Sequence, residues 1–123
     1  MITIYYRKTC TSSRRAIQWL NDHNIEYQLN RVEKIRKEDI LLSLSMSENG
    51  IDDIVKLQGN AITQKKVVAI YGMSLSAAID YLKRHTEVLR TPIILSKNKL
   101  LIGFHETEIR QFISRDYRQV NYY

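Results

Sequence analysis

Cys10 is the only cysteine of the 123-residue chain, and it stands in the run Arg7-Lys8-Thr9-Cys10-Thr11-Ser12-Ser13-Arg14-Arg15. A thiol set among hydroxyls and basic residues, directly ahead of a helix, has surroundings that favour a thiolate. Unpaired N–H groups, the positive end of the helix dipole and nearby cations all lower its pKa. The expectation is a partly exposed, reactive Cys10; the bland alternative is a buried sulfur acting as a small hydrophobe. A dithiol motif needs a second cysteine three residues on, and Ser13 occupies that place, so no internal disulfide can form. A mixed disulfide, a glutathione adduct, an intermolecular bridge or a sulfenic acid remain open to Cys10. No metal site is expected, because one cysteine and the scattered His23, His85 and His105 lack ligand spacing.

The elements that must position this thiol follow from periodicity. Ile2, Ile4 and Tyr6 alternate with Thr3 and Tyr5, which predicts a strand over 2–6. Ala16, Ile17 and Leu20 recur at helical spacing, so a helix over about 11–23 follows, with Asn24 as its stop. Ile25, Tyr27 and Leu29 alternate again and give a second strand, parallel to the first through a right-handed crossover. From 31 to 89 the texture turns helical. Ile40, Leu41 and Leu44 mark one helix, Asn49-Gly50 its end and a turn, and Ile51, Ile54 and Val55 a short helix with Asp52 and Asp53 in its first turn. Residues 61–73 show no clean period and are expected to be irregular or partly helical. Ser74 caps a helix with Leu75, Ala78, Ile79 and Leu82 on one face. After Pro92, the lone proline, Ile93–Leu95 and Leu100–Ile102 form a hairpin, and 105–113 is expected to be an amphipathic helix. The tail 114–123 reads as a mobile or packed chain end, with stacking of its tyrosines on nucleic acid as the alternative.

Composition is that of an ordinary globular protein, 44% hydrophobic and 26% charged, long enough for one domain with a real core. No apolar run approaches the ~20 residues of a membrane span, so no membrane partner is expected. One cysteine without an apolar leader points to the cytoplasm. The net charge of +6 admits acidic protein surfaces or nucleic acid as partners without choosing between them.

Five stretches carry a resemblance: YYRKTCTSSRRAIQWLNDHNIEY at 5–27, SENGIDDIV at 47–55, LRTPIIL at 89–95, LIGFHETEIRQFI at 101–113 and SRDYR at 114–118. In this order they resemble the Spx and arsenate-reductase-like family of the thioredoxin-like fold, and the Spx regulators more than the reductases. The resemblance implies an α/β domain: a mixed four-stranded sheet with sheet core about 1–30 and 90–113, a helical insertion about 31–89 between the βαβ and ββα halves, and a tail at 114–123. It implies a cis Thr91-Pro92 bond beside Cys10. It also implies binding to the C-terminal domain of the RNA polymerase α subunit, with DNA engaged only indirectly. Gly50 and its neighbours Asn49 and Ile51, together with Tyr5 and Arg7, are the contact residues so implied.

Departures from the family pattern qualify the chemistry. Reductases similar to this chain place arginines before the strand-opening proline, after the short helix and after the hairpin. Here those places hold Thr91, Leu57-Gln58-Gly59-Asn60 and Gly103-Phe104-His105-Glu106, with Arg90 one residue too early. An oxyanion needs fixed cations while sulfur attacks it, so arsenate reduction is disfavoured. The alternative function is a monothiol oxidoreductase with glutathione as the resolving thiol; otherwise no cofactor is expected. Spx proteins commonly carry a dithiol at the places of Cys10 and Ser13, so a switch by internal disulfide is excluded for this chain.

Overall fold

The computed structural model describes residues 1–113. The tail 114–123, and the expectations placed on it, lie outside the described residues. Among the described residues, four strands form one sheet in the order β2-β1-β3-β4. They are β1 (Ile2–Tyr6), β2 (Tyr27–Arg31), β3 (Ile93–Ser96) and β4 (Lys99–Ile102). β1 runs parallel to β2 and antiparallel to β3, with Ile4 opposite Leu29 on one side and Ile94 on the other; β3 and β4 close the hairpin. This is the mixed sheet that the resemblance implied.

The central strands bury both faces, and the alternation of their side chains divides the core in two. Ile4, Ile94 and Leu101 face α1 (Thr11–Asp22), where Ala16 and Leu20 meet Ile109 and Phe112. Tyr5, Ile93 and Leu95 face the other way, onto the helices between β2 and β3. Those are α2 (Lys37–Met46), α3 (Ile51–Ile54), α4 (Ala61–Ile70) and α5 (Leu75–Arg84), which contribute Ile40, Ile54, Val67, Ile70, Ala78 and Leu82 to a shared cluster.

Of the two alternatives for 61–73, the partly helical one holds: α4 is started by the Asn60 side chain accepting the Thr63 N–H at 2.8 Å. Its outer face carries exposed Ile62 and Val68 opposite buried Val67 and Ile70, which erases the period by which a helix is recognised. The amphipathic helix expected over 105–113 is a 3-10 turn over Glu108–Phe112. Three residues per turn bring Ile109 and Phe112 to the same side, and both are buried. Gly50 does not end α2, which closes at Ser47; it is the residue that starts α3.

Candidate functional site

Cys10 occupies the N-cap position of α1, between the end of β1 and the first helical turn. Its Sγ accepts the Ser13 N–H at 3.4 Å and lies 3.5 Å from the Thr91 carbonyl oxygen. The Thr91-Pro92 peptide bond is cis. Ser13 itself is fully buried, and its hydroxyl accepts the Arg7 N–H at 3.3 Å. The thiol is half-buried among polar groups, so it is no core hydrophobe. Burial raises its pKa, but hydrogen bonds from Ser13, Thr91 and the Ser12 and Ser13 amides outweigh burial and hold it below the ordinary thiol value.

The source of this shift differs from the sequence expectation. Arg14 turns back onto the Lys8 carbonyl at 3.0 Å and Arg15 lies over the Phe104 ring at 4.6 Å, so neither acts on the sulfur as expected. Two cations do sense the Cys10 thiolate: Arg7, and Lys56, which no local sequence pattern singles out. Burial lowers the Lys56 pKa, as does the charge of Arg7, while Cys10 and Glu87 oppose both. Lys56 directly precedes the 57–60 stretch where the reductases place an arginine, and that nearness is the one trace of it in the sequence.

The Arg7 guanidinium is already committed. It donates to the Leu89 carbonyl at 2.7 Å, the Thr91 hydroxyl at 3.4 Å and the Thr86 carbonyl. Arg90 donates to the Asp53 carbonyl at 3.2 Å. These groups therefore bind the chain to itself instead of presenting a fork to an oxyanion. What the Cys10 site can do is form a thiolate and exchange it with another thiol or disulfide. Alkylation by iodoacetamide at neutral pH is expected to run faster than for a free cysteine, because more of the thiol is ionised. Ser13→Ala is expected to lose most of that gain, and a rate that does not change would discount the hydrogen bonds as its cause.

A second site surrounds Gly50. Its φ is +63°, a conformation open to glycine and costly for other residues, and a Cβ placed there would meet nothing within 4 Å. The Asp53 carboxylate holds the turn by accepting the Asn49 N–H at 2.9 Å and the Asn49 side-chain amide at 3.2 Å. These bonds keep Asp53 ionised below the usual carboxylate range. Gly50 and Ile51 stand at the edge of a groove of about 470 Å³ between α2, α3 and α5, walled by Leu41, Leu44, Tyr71 and Leu75. Leu41, Tyr71 and Leu75 are 46%, 55% and 57% exposed. Tyr71 donates its hydroxyl to Asp52 and so fixes the corner after α4 against α3.

The predicted residues therefore divide between two places. Cys10, Ser13, Arg7 and Pro92 gather around the thiol, whereas Asn49, Gly50 and Ile51 frame the groove. Tyr5, expected at the partner surface, is only 2% exposed and donates its hydroxyl to Asp39 under α2. A side chain so enclosed touches nothing outside the chain, and Tyr5 leaves the set of contact residues. The backbone nevertheless joins the two places: Val55 bridges Leu89, and the Arg90 N–H donates to the Ile54 carbonyl at 2.9 Å.

The profile of the ArsC family matches residues 5–112. The chain is 36% identical over 121 residues to a Streptococcus agalactiae protein described as a global transcriptional regulator Spx, the match spanning 97% of this chain and 88% of that protein. A Streptococcus pyogenes protein of the same description is 35% identical, over 97% of this chain and 90% of its own length. Among solved structures, a putative ArsC family related protein from Bacteroides fragilis superposes with a TM-score of 0.75 at 18% identity, covering 90% of this chain and 96% of that one. A possible arsenate reductase from Streptococcus mutans gives a TM-score of 0.72 at 20% identity, covering 85% of this chain and 92% of that one. At such identities the structural likeness speaks to the fold alone, which is thioredoxin-like.

Proposed function

The chain belongs to the ArsC family, and from that premise we propose that it is an Spx-type transcriptional regulator that docks on the C-terminal domain of the RNA polymerase α subunit. Docking uses the groove beside Gly50, and the protein acts in the cytoplasm under thiol or oxidative stress through Cys10. The observation that carries this reading is the apolar groove with a positive-φ glycine at its edge. Side chains of Leu41, Tyr71 and Leu75 left in water gain free energy when a partner covers them. Bare backbone at Gly50 lets that partner approach closely. Identity of 36% to a regulator named Spx supports the same class. The Arg7 and Arg90 guanidiniums, both spent on carbonyls of the chain, weigh against reductase chemistry. Cys10, without a second thiol, responds by forming an adduct.

The test is binding of isolated α C-terminal domain to wild type, Gly50→Ala, Gly50→Arg and Leu75→Asp. Gly50→Ala carries the backbone strain alone, Gly50→Arg adds an arm across the groove, and Leu75→Asp charges its exposed wall. Gly50→Arg and Leu75→Asp are each expected to weaken binding at least tenfold, about 1.4 kcal/mol, and Gly50→Ala far less. Equal binding by all four proteins removes the groove as the contact.

A second reading rests on the depressed Cys10 pKa. In a monothiol oxidoreductase the Cys10 thiolate takes glutathione from a mixed disulfide and releases the substrate as a thiol. A second glutathione then leaves as glutathione disulfide and restores Cys10. Turnover abolished by Cys10→Ser in a glutathione-coupled assay supports it, and its absence in wild type removes it.

A further inference from the structure

The sheet has two outer strands, and they are finished differently. β4 is tied to the turn that follows it: the Lys99 ammonium donates to the Gln111 carbonyl at 2.8 Å, and the Gln111 side-chain amide donates to the Leu100 carbonyl at 3.4 Å. β2, at the other end of the order, pairs with β1 in an unbroken register from Tyr27 to Arg31. Among the described residues, no hydrogen bond from any other element reaches its backbone. Its outward N–H and C=O groups are a template for one more strand. Edges of this kind are ordinarily blocked by a proline, a bulge or a lysine. The run Tyr27-Gln28-Leu29-Asn30-Arg31 has none of the three, and its middle is uncharged. Leu29, aligned with buried Ile4 on the α1 side of the sheet, is 44% exposed.

The same five residues say which strand fits. Laid antiparallel on itself about a two-fold axis at Leu29, the edge sets Leu29 against Leu29, Gln28 against Asn30 and Tyr27 against Arg31. Those are an apolar pair, amide pairs and aromatic–cation pairs, with no like charges opposed. Alternation keeps Tyr27, Leu29 and Arg31 together on the α1 side and puts the amides on the other. Moving the axis by one residue spoils the match. At Gln28 it sets Ile25 against Arg31, and at Asn30 it sets Leu29 against Arg31. Arg31 pairs with Glu33 at 3.4 Å, an exposed and weak contact that does not hold the guanidinium back. The groove beside Gly50 is lined by no residue of β2, so this is a separate surface.

We infer that the β2 edge pairs with the β2 edge of a second copy of this chain, joining two sheets into one of eight strands. This does not depend on the reading given under Proposed function. The contact is small beside a standard interface of about 1,600 Å², and each copy carries a net charge of +6. Association is therefore weak and reversible, and salt strengthens it by screening the repulsion.

The experiment is sedimentation of the full chain from about 10 µM to about 1 mM, with circular dichroism to verify that each variant is folded. Wild type is expected to pass from monomer to dimer with a midpoint on the order of 100 µM. Leu29→Lys sets two ammonium groups at the axis and is expected to raise the dissociation constant at least tenfold. Cross-linking fixes the register. In a Cys10→Ser background, Leu29→Cys places two thiols opposite one another, while Glu33→Cys places them well off the axis. Mild oxidation is expected to link the first pair at least about tenfold faster than the second. A dimer that Leu29→Lys leaves intact uses another surface, and equal cross-linking at both positions reports random collision; either overturns the inference. Wild type that stays monomeric throughout leaves the edge to a strand of another protein and overturns it as well. So does amide exchange over residues 27–31 that is no slower in concentrated protein than in dilute, the result expected if the chain covers its own edge.

Discussion

Asp39→Ala is expected to cost about 3 kcal/mol of folding stability. Asp39 is 6% exposed, and its carboxylate accepts the hydroxyl of Tyr5, which is 2% exposed. It also pairs with Arg36 at 3.3 Å. Alanine deprives a buried phenol hydroxyl of its carboxylate acceptor and removes an acidic group from the first turn of α2, where the helix dipole favours one. Tyr5→Phe is expected to cost about 2 kcal/mol, and the double variant little more than Asp39→Ala alone, because both changes delete one interaction. Urea denaturation checks all three, and additive costs would mean that the pair does not act as a unit. The pH dependence follows from Tyr5. Burial and Asp39 push its pKa up to about 12, against about 10 in an unfolded chain. Above about pH 10 the unfolded chain releases this proton first. The stability Tyr5 contributes is therefore complete below about pH 10 and lost as pH climbs toward about 12. Tyr5→Phe should show a shallower loss than wild type in that window.

Arg7→Met is expected to cost about 2–3 kcal/mol and to slow Cys10 at the same time. The Arg7 side chain joins the cysteine loop to the carbonyls of Thr86 and Leu89 and to the Thr91 hydroxyl. Methionine keeps much of the apolar stem and gives up every donor, leaving half-buried carbonyls short of a partner. Loss of the cation also withdraws favourable charge from the thiolate. The outcome to look for is a lower urea midpoint, slower alkylation of Cys10 and faster hydrogen exchange at residues 86–91. A normal alkylation rate in a destabilised variant would confine Arg7 to a structural role.

Much of the frame was legible because its strands and first helix have clean periods. The alternation of Ile2 to Tyr6, the helical spacing of Ala16 and Leu20 and the hairpin around Ser96–Lys99 each point to one structure. The place of Cys10 was legible too, since a thiol followed by hydroxyls marks a helix start. α4 was hidden because apolar residues left in solvent, Ile62 and Val68, look the same in the sequence as Val67 and Ile70 turned to the core. The tie between Tyr5 and Asp39 was hidden for another reason: it joins a strand to a helix beyond the βαβ unit, and no local pattern records it. Lys56 was missed because its relation to Cys10 depends on how the insertion folds back over the sheet. The turn at Gly50 looks like a helix end in the sequence, since a glycine after an apolar run serves equally as the end of one helix and the start of the next.

The placement of β3 bears on how the protein is made. Thr3 pairs with Leu95, so the middle of the sheet joins strands from opposite ends of the described chain. Closing so long a loop is entropically expensive and slow. On the ribosome, β1 emerges early and β2 soon after, but the remaining hydrogen-bonding edge of β1 has no neighbour until Ile93–Ser96 has been synthesised. For most of its synthesis the nascent polypeptide therefore carries an open, apolar strand edge and an uncovered sulfur beside it. A fragment ending ahead of Ile93 could never acquire the strand that shields them, which makes interrupted translation the moment when this protein is most exposed to aggregation.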